Sequence, residues 1–199
     1  MSDRDLIETK LSGELLFHGK FLQCFRDSVL LPNGNVATRE FMVHPGAVMV
    51  IPLLSGEHDE VRVVMERQFR YPMNQVMIEF PAGKLDPGES TWSCAQRELL
   101  EETGYSALEW ARAGVIHPVI SYSTEFIEIW FARRLTAGLP SLDDGEFLDV
   151  FSATADELLE WCRDGRVTDA KTLAGAMWLQ NYRSGAWKLN WVSSLSSSS

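Results

Sequence analysis

The apolar positions of residues 1–44 predict three short β-strands. They concentrate at 14–17, 21–31 and 37–43, and polar segments separate these runs. The polar segment between the second and third runs contains Asn33 and Gly34, a pair that favours a tight hairpin turn. Three antiparallel strands of this length cannot bury a core alone, so we expect them to pack on the rest of the chain or on a second subunit.

The pattern changes after residue 44 to an alternation of buried strands and helices. Strand-like runs occupy 47–54, 61–68, 76–80, 114–118 and 126–132, with a charged turn at 55–60, and helical runs occupy 155–163 and 170–182. This alternation predicts an α/β layered domain with a mixed sheet. The serine-rich end of the chain, from residue 187, is expected to be a partly disordered tail.

A further helix is predicted between residues 90 and 104. Ser90 is suited to cap its first amide groups, and Gly104 supplies a stop signal. Trp92, Ala95 and Leu99 recur at helical spacing. We therefore expect this helix to face a core.

Three carboxylates lie on a neighbouring face of that helix. Glu98 and Glu102 are one turn apart, and Glu101 flanks them, so their negative charges repel one another. A hard divalent cation such as Mg²⁺ would compensate this repulsion, because it prefers carboxylate oxygen and keeps positions for phosphates and waters. The alternative is a solvated acidic helix face.

Residues 83–105 resemble the Nudix box, a motif with fixed spacing between a glycine, a glutamate and an Arg-Glu-aliphatic-x-Glu-Glu-x-Gly run. The matching residues are Gly83, Glu89, Arg97, Glu98, Leu99, Glu101, Glu102 and Gly104. Tyr105 stands where the box ends in an aliphatic residue. The resemblance implies a Nudix α/β/α sandwich and hydrolysis of the pyrophosphate in a nucleoside diphosphate linked to another group.

The resemblance also implies a role for each matching residue. Glu98 and Glu102 would be the main ligands of Mg²⁺, for which Mn²⁺ would substitute, and Glu101, Glu89 and the Ala82 carbonyl would complete the site.

Two more box residues would serve these ligands. Arg97 would orient the glutamates, and Gly83 would let its loop approach the metals closely. Bound cations would neutralise the charge around phosphorus and make an attacking water more acidic.

The segments before the box resemble the ADP-ribose pyrophosphatase branch of this family. They are 67–72, 79–83 and the three-strand extension at 1–44. The resemblance implies a homodimer that swaps the extension, and contact of Arg70 with a substrate phosphate. Phe21 would stack on the base, although a strand residue facing the core is equally consistent with its position.

Segments after the box bear on the substrate and on the general base. Glu125 matches an acidic position near the substrate, whereas Ile120 replaces a proline usual in this branch, which leaves room for sugar nucleotides such as GDP-mannose. The resemblance implies a mobile acidic loop at 141–147 that supplies the general base, Asp144 or Glu146. An ordinary surface turn has the same composition.

Composition argues against several kinds of partner. A formal net charge of −10 without clustered lysine or arginine disfavours nucleic acid, which requires basic surface. Three cysteines without paired spacing favour reduced thiols and a cytoplasmic location. No signal peptide or membrane-spanning apolar run is apparent, so no membrane partner is expected.

These observations predict a cytoplasmic, homodimeric, Mg²⁺-dependent Nudix pyrophosphohydrolase. The expected domains are a β extension at 1–44 for dimerisation and substrate contacts, a catalytic domain at 45–186 and a tail at 187–199. The expected reaction converts ADP-ribose to AMP and ribose 5-phosphate. Alternatives are a hydrolase of GDP-mannose or another sugar nucleotide, a nucleoside triphosphate pyrophosphatase, and a nucleotide-sensing Nudix domain without turnover.

Overall fold

The computed structural model of the protein describes residues 2–55 and 60–194. The centre of the predicted turn, 56–59, and the last part of the predicted tail, 195–199, lie outside the described residues. The rest divides into two compact units. One comprises the described parts of Met1–Gly46 with His117–Phe126, and the other those of Ala47–Ile116 with Ile127–Ser199.

The first unit is built on a three-stranded antiparallel sheet. After a short 3₁₀ helix at Asp3–Leu6, the strands are β1 (Thr9–His18), β2 (Gln23–Leu30) and β3 (Val36–Val43), in the order β1-β2-β3. The predicted three-strand extension is therefore confirmed. The hairpin between β2 and β3 contains Gly34 at a φ of 85°, a conformation that glycine adopts without strain.

Residues His117–Phe126 belong to this unit, although the sequence assigned them to the catalytic domain. The Met42 N–H donates to the Tyr122 carbonyl at 2.8 Å, and the Thr124 N–H donates to the Met42 carbonyl at 3.0 Å. These backbone hydrogen bonds extend the edge of β3, and such long-range pairing leaves no local sequence signal.

The second unit is a mixed sheet with helices. Its strands are β4 (Ala47–Ser55), β5 (Val61–Arg70), β6 (Gln75–Glu79), β7 (Ala82–Lys84), β8 (Tyr105–Ile116), β9 (Ile127–Ala137), β10 (Leu148–Thr154) and β11 (Val192–Ser193). Its helices are α1 (Thr91–Thr103), α2 (Ala155–Arg163) and α3 (Ala170–Arg183), with a 3₁₀ turn at Tyr71–Met73. The sheet order is β10-β5-β4-β9-β8-β11, with β6 beside β5 and β7 beside β4.

The two faces of this sheet carry different helices. Met49 and Ile51 of β4 pack with residues of α2 and α3, whereas the alternate residues Val48 and Val50 pack with residues of α1. We call these sides the α2–α3 face and the α1 face. Only β4 and β9 run parallel among the described pairs, so the predicted α/β/α sandwich with a mixed sheet is confirmed.

The ends of α1 and α2 agree with the sequence, but several strands do not. The Ser90 hydroxyl accepts from the Ser93 N–H at 3.1 Å, and Gly104 ends α1 at a φ of 73°. By contrast, β8 begins nine residues before the predicted start at 114, and β10 was not predicted.

Part of the predicted tail packs on the second unit. The ring of Trp187 lies 4.4 Å from that of Trp178, and β11 pairs with β8. The second unit therefore continues past the predicted boundary at 186. Across the described ranges, no helix is long and apolar enough to cross a membrane.

Candidate active site

Strand alternation places polar side chains of β5 on the α1 face. Val63 and Met65 are buried on the α2–α3 face, so the alternate residues Glu66 and Gln68 point to the opposite side. Glu79 of β6 is the register partner of Glu66 and therefore shares its side. The sheet thus presents carboxylates on the same face as helix α1.

Helix α1 brings the box glutamates against β7. The Glu98 carboxyl lies over Gly83 so closely that a Cβ at this position would be 1.9 Å from Glu98 Cδ. Glu102 Oε2 accepts from the Ala82 N–H at 3.0 Å. Glycine at position 83 thus allows this approach because it has no Cβ. No turn conformation of the backbone is involved.

Arg97 ties three box carboxylates together. Its Nε and Nη2 donate to Glu89 at 2.9 and 2.8 Å, and its Nη1 donates to Glu98 at 2.8 Å and to Glu101 at 3.0 Å. Hydrogen bonding from Arg97 lowers the pKa of Glu89 to about 2. One guanidinium therefore fixes the orientation of all three carboxylates.

Glu102 is in a different situation. It is almost fully buried, and its hydrogen bond comes from a neutral backbone amide. Burial raises the pKa of Glu102, and the negative charges of Glu66, Glu98 and Glu146 raise it further. An ionised Glu102 therefore requires additional positive charge nearby.

Glu66 was missed by sequence reasoning. Its side chain is fully buried, and neither carboxylate oxygen has a hydrogen-bond partner in the part of the chain that the structure describes. Burial raises the pKa of Glu66, the charge of Glu79 adds to this, and Lys171 and Arg70 partly oppose it. The available signal was a single acid following the apolar run Val63–Met65.

Glu79 is equally buried but is paired with two positively charged side chains. Arg70 donates to both carboxylate oxygens, at 2.7 and 2.8 Å, and Lys171 of α3 also bonds to Glu79 and lies 3.1 Å from Asp169. Although burial raises the pKa of Glu79, the bonds from Arg70 and the charge of Lys171 lower it overall. Arg70, predicted to contact phosphate, binds Glu79 here and keeps 38% of its side chain exposed.

The acidic loop places one of its two candidate bases on the α1 face. Gln68 Nε2 donates to Glu146 Oε1 at 3.2 Å. Burial raises the pKa values of Glu98 and Glu102, and the negative charge of Glu146 raises both further. Asp144, by contrast, is exposed.

The remaining predicted residues, Phe21 and Glu125, belong to the first unit. The half-exposed Phe21 ring meets His44 edge-on at 6.2 Å between centroids, and Glu125 Oε1 lies 3.9 Å from His44 Nε2. The structure therefore groups these two residues around one histidine.

The α1 face suits a divalent cation in its chemistry. Glu98, Glu102 and Glu66 supply hard oxygen donors, and the Glu66 oxygens lack partners within the described residues. Across those residues, no three acidic, histidine or cysteine side chains already converge as a cation site. In this arrangement one oxygen of Glu98 accepts from Arg97 and one oxygen of Glu102 accepts from a backbone amide.

Comparison with known proteins agrees with this fold. The NUDIX domain model matches residues 43–174. An ADP-ribose pyrophosphatase of Bacillus subtilis (strain 168) is 34% identical over 179 residues, which cover 89% of this chain and 95% of the relative. A methanol dehydrogenase activator of Bacillus methanolicus is 36% identical over 177 residues, covering 87% and 92%.

A solved structure of an ADP compounds hydrolase has the same fold, with a TM-score of 0.78 and 22% identity over 90% of this chain and 95% of that one. The match to the domain model spans more than half of the chain and includes the carboxylate-bearing helix α1. The chain belongs to the Nudix family.

Proposed function

We propose that this protein is a Nudix pyrophosphohydrolase that cleaves ADP-ribose into AMP and ribose 5-phosphate. In this reaction water adds to one phosphorus and the bridging P–O bond breaks. The observation that carries the proposal is the collection of Glu98, Glu102 and Glu146 on the α1 face of the sheet. The name of the Bacillus subtilis relative supports ADP-ribose as the substrate.

The proposed cofactor is Mg²⁺, with Mn²⁺ as a substitute. Glu98 and Glu102 are the proposed main ligands, with Glu101, Glu89 and the Ala82 carbonyl completing the site. When bound, the cations neutralise the negative charge of the pyrophosphate. Arg97 acts as a positioning residue, because it fixes the carboxylates that it bonds.

Glu146 is the proposed general base, in preference to Asp144. Its hydrogen bond from Gln68 aims its carboxylate at the α1 face, whereas Asp144 is exposed. In the proposed role, Glu146 accepts the proton of the attacking water. Among substrate contacts, the exposed part of the Arg70 guanidinium suits a phosphate, the half-exposed Phe21 ring suits a base, and Glu125 suits a sugar hydroxyl.

A homodimer is proposed through the three-stranded sheet. All ten residues of the edge strand β1 are exposed, and they include four large apolar side chains: Leu11, Leu15, Leu16 and Phe17. Such a surface favours association with a second copy, and swapping of the extension is the proposed form. Light scattering after size exclusion should give twice the chain mass, and Phe17→Glu should shift it toward the monomer.

A cytoplasmic location is also proposed. The cysteines Cys24, Cys94 and Cys162 are free thiols, as expected for a reducing compartment.

The substrate test is Mg²⁺-dependent turnover of ADP-ribose, GDP-mannose and UDP-glucose, with a phosphatase added so that only monoester products release phosphate. We expect ADP-ribose to be preferred although Ile120 replaces the branch's usual proline. Preference for GDP-mannose would preserve the reaction and change the substrate. Turnover of none of these by folded, metal-binding protein would contradict the proposal.

A regulator without turnover is the second candidate. The relative named as a methanol dehydrogenase activator is the observation in its favour. The two functions separate in one experiment, because a sensor would bind the nucleotide in calorimetry without releasing monoester products.

A further inference from the structure

The most unusual side chain of the second unit is Glu66. It is 0% exposed, and both of its carboxylate oxygens are unpartnered within the described ranges of the chain. We propose that Glu66 is an additional carboxylate ligand of the divalent-cation site, acting beside Glu98 and Glu102. This inference rests on the proposed function, since it extends the same cation site.

The position of Glu66 in the sheet supports this role. Strand β5 lies between β10 on one side and β4 and β6 on the other, so Glu66 occupies an interior strand. Its side chain points to the α1 face. On that face the Glu98 carboxyl lies against Gly83, and the Glu102 carboxyl accepts a hydrogen bond from the Ala82 N–H. An oxygen donor here faces the proposed ligands rather than solvent.

Acidic side chains outnumber basic ones around Glu66. Glu79 of β6, Glu102 of α1 and Glu146 of the acidic loop contribute negative charge, whereas Arg70 and Lys171 contribute positive charge. Both cations, however, hydrogen-bond to Glu79. Glu79 is thus satisfied by direct bonds, whereas Glu66 and Glu102 receive none from an arginine or lysine in the part of the chain that the structure describes.

A divalent cation resolves this arrangement with a single group. Unpaired buried carboxylates are costly, and coordination would neutralise Glu66 and Glu102 together and occupy the free oxygens of Glu66. The competing account is that Glu66 is a neutral packing residue that takes no part in cation binding. The two accounts differ in what removal of the carboxylate does to metal affinity.

The test measures Mn²⁺ binding to the full-length protein by electron paramagnetic resonance of the free ion. The variants are Glu66→Gln, Glu102→Gln and, as a matched control on the exposed face of α2, Glu160→Gln. We expect Glu66→Gln to weaken Mn²⁺ binding by at least about tenfold, the lower range for groups that support a metal site. Glu160→Gln should bind as the wild-type protein does.

Thermal unfolding separates a lost ligand from a damaged fold. In EDTA, Glu66→Gln should be at least as stable as the wild type, because it replaces a buried carboxyl group that has no hydrogen-bond partner among the described residues. With Mn²⁺, it should gain less stability than the wild type, since stabilisation follows affinity. Glu66→Met, which keeps the volume without an oxygen donor, should lose Mn²⁺ affinity in the same way.

The outcomes distinguish this inference from the proposed function. Wild-type Mn²⁺ affinity in Glu66→Gln and Glu66→Met, together with weakened binding in Glu102→Gln, would overturn the role of Glu66 and leave the cation site intact. Wild-type affinity in Glu102→Gln would instead overturn the cation site of the proposed function.

Discussion

Glu66 and Glu79 face each other across β5 and β6, are buried to the same degree, and differ in their surroundings. Glu79 receives direct bonds from Arg70 and Lys171, and its pKa is lowered despite burial. Glu66 receives no hydrogen bond from any described residue, and its pKa is raised by burial. Burial alone therefore does not decide whether the pKa of a carboxyl group is raised or lowered.

Glu79 with Arg70 and Lys171 forms a structural cluster, whereas Glu66 and Glu102 belong to the proposed functional cluster. The bonds around Glu79 are complete in the protein alone, so this cluster stabilises the fold. Glu66 has no hydrogen-bond partner among the described residues and Glu102 accepts from a backbone amide, so under the proposed function this cluster is the one that binds a cation. Four predictions test this division, from the largest expected effect to the smallest.

Glu102→Gln should produce the largest effect, on turnover. Loss of a proposed metal ligand should lower Mg²⁺-dependent hydrolysis of ADP-ribose by at least about a hundredfold, the upper range for groups that only support a metal ligand. Stability in EDTA should not fall, because the variant removes a buried carboxylate that no cation pairs with. Undiminished hydrolysis would show that Glu102 is not part of the site.

Glu79→Gln should have the opposite profile. This variant removes the negative charge that pairs with Arg70 and Lys171, although Lys171 also bonds to Asp169, and we expect a loss of about 3 kcal/mol in the free energy of unfolding. Urea unfolding in EDTA measures it, with Glu160→Gln as the control for the same chemical change at an exposed position. A loss below about 1 kcal/mol, the range of exposed ion pairs, would remove the distinction between the clusters.

Gly83→Ala should affect turnover more than stability. The added methyl group would displace the Glu98 carboxyl, which can move because it is the end of a flexible side chain. A displacement of this kind should reduce turnover by about ten- to a hundredfold while the melting temperature changes little. Equal turnover in the variant and the wild type would show that the Glu98 position is not critical.

The smallest effect concerns acid stability. The pKa of Glu79 is lower in the folded protein than in the unfolded chain, so its contribution is complete above the unfolded value of about 4.3 and is lost as the pH falls below that value. The stability difference between the wild type and Glu79→Gln should therefore shrink on acidification. A difference that stays constant from neutral pH into the acid range would contradict the ionised state assigned to Glu79.

The fold was predictable where the signals are local. Ser90 caps the start of α1 and Gly104 ends it, so the sequence predicted both ends of this helix. The alternation of strand-like and helical runs predicted the mixed sheet. Strand β10 was missed because it is a short edge strand whose exposed Asp149 and Ser152 resemble a loop, and its partner β5 lies about eighty residues away along the chain.

The residues of the candidate site, too, were predictable only where the sequence signal is local. The box residues follow one another at fixed spacing, so the sequence identifies Arg97, Glu98 and Glu102 together. Glu66 and Lys171 carry no such spacing, since a single acid in a strand and a lysine in a first helical turn both resemble solvent-facing positions. Their importance arises from the register between β5 and β6 and from the approach of α3 to Glu79.

The most direct test of the central claim is anomalous diffraction from crystals of the protein soaked with Mn²⁺. We expect manganese peaks on the α1 face within coordination distance of Glu98 and Glu102. We also expect a Glu66 oxygen in the same cluster. Peaks confined to other surfaces, with Glu98 and Glu102 in their present hydrogen bonds, would contradict the assignment of this face as the active site.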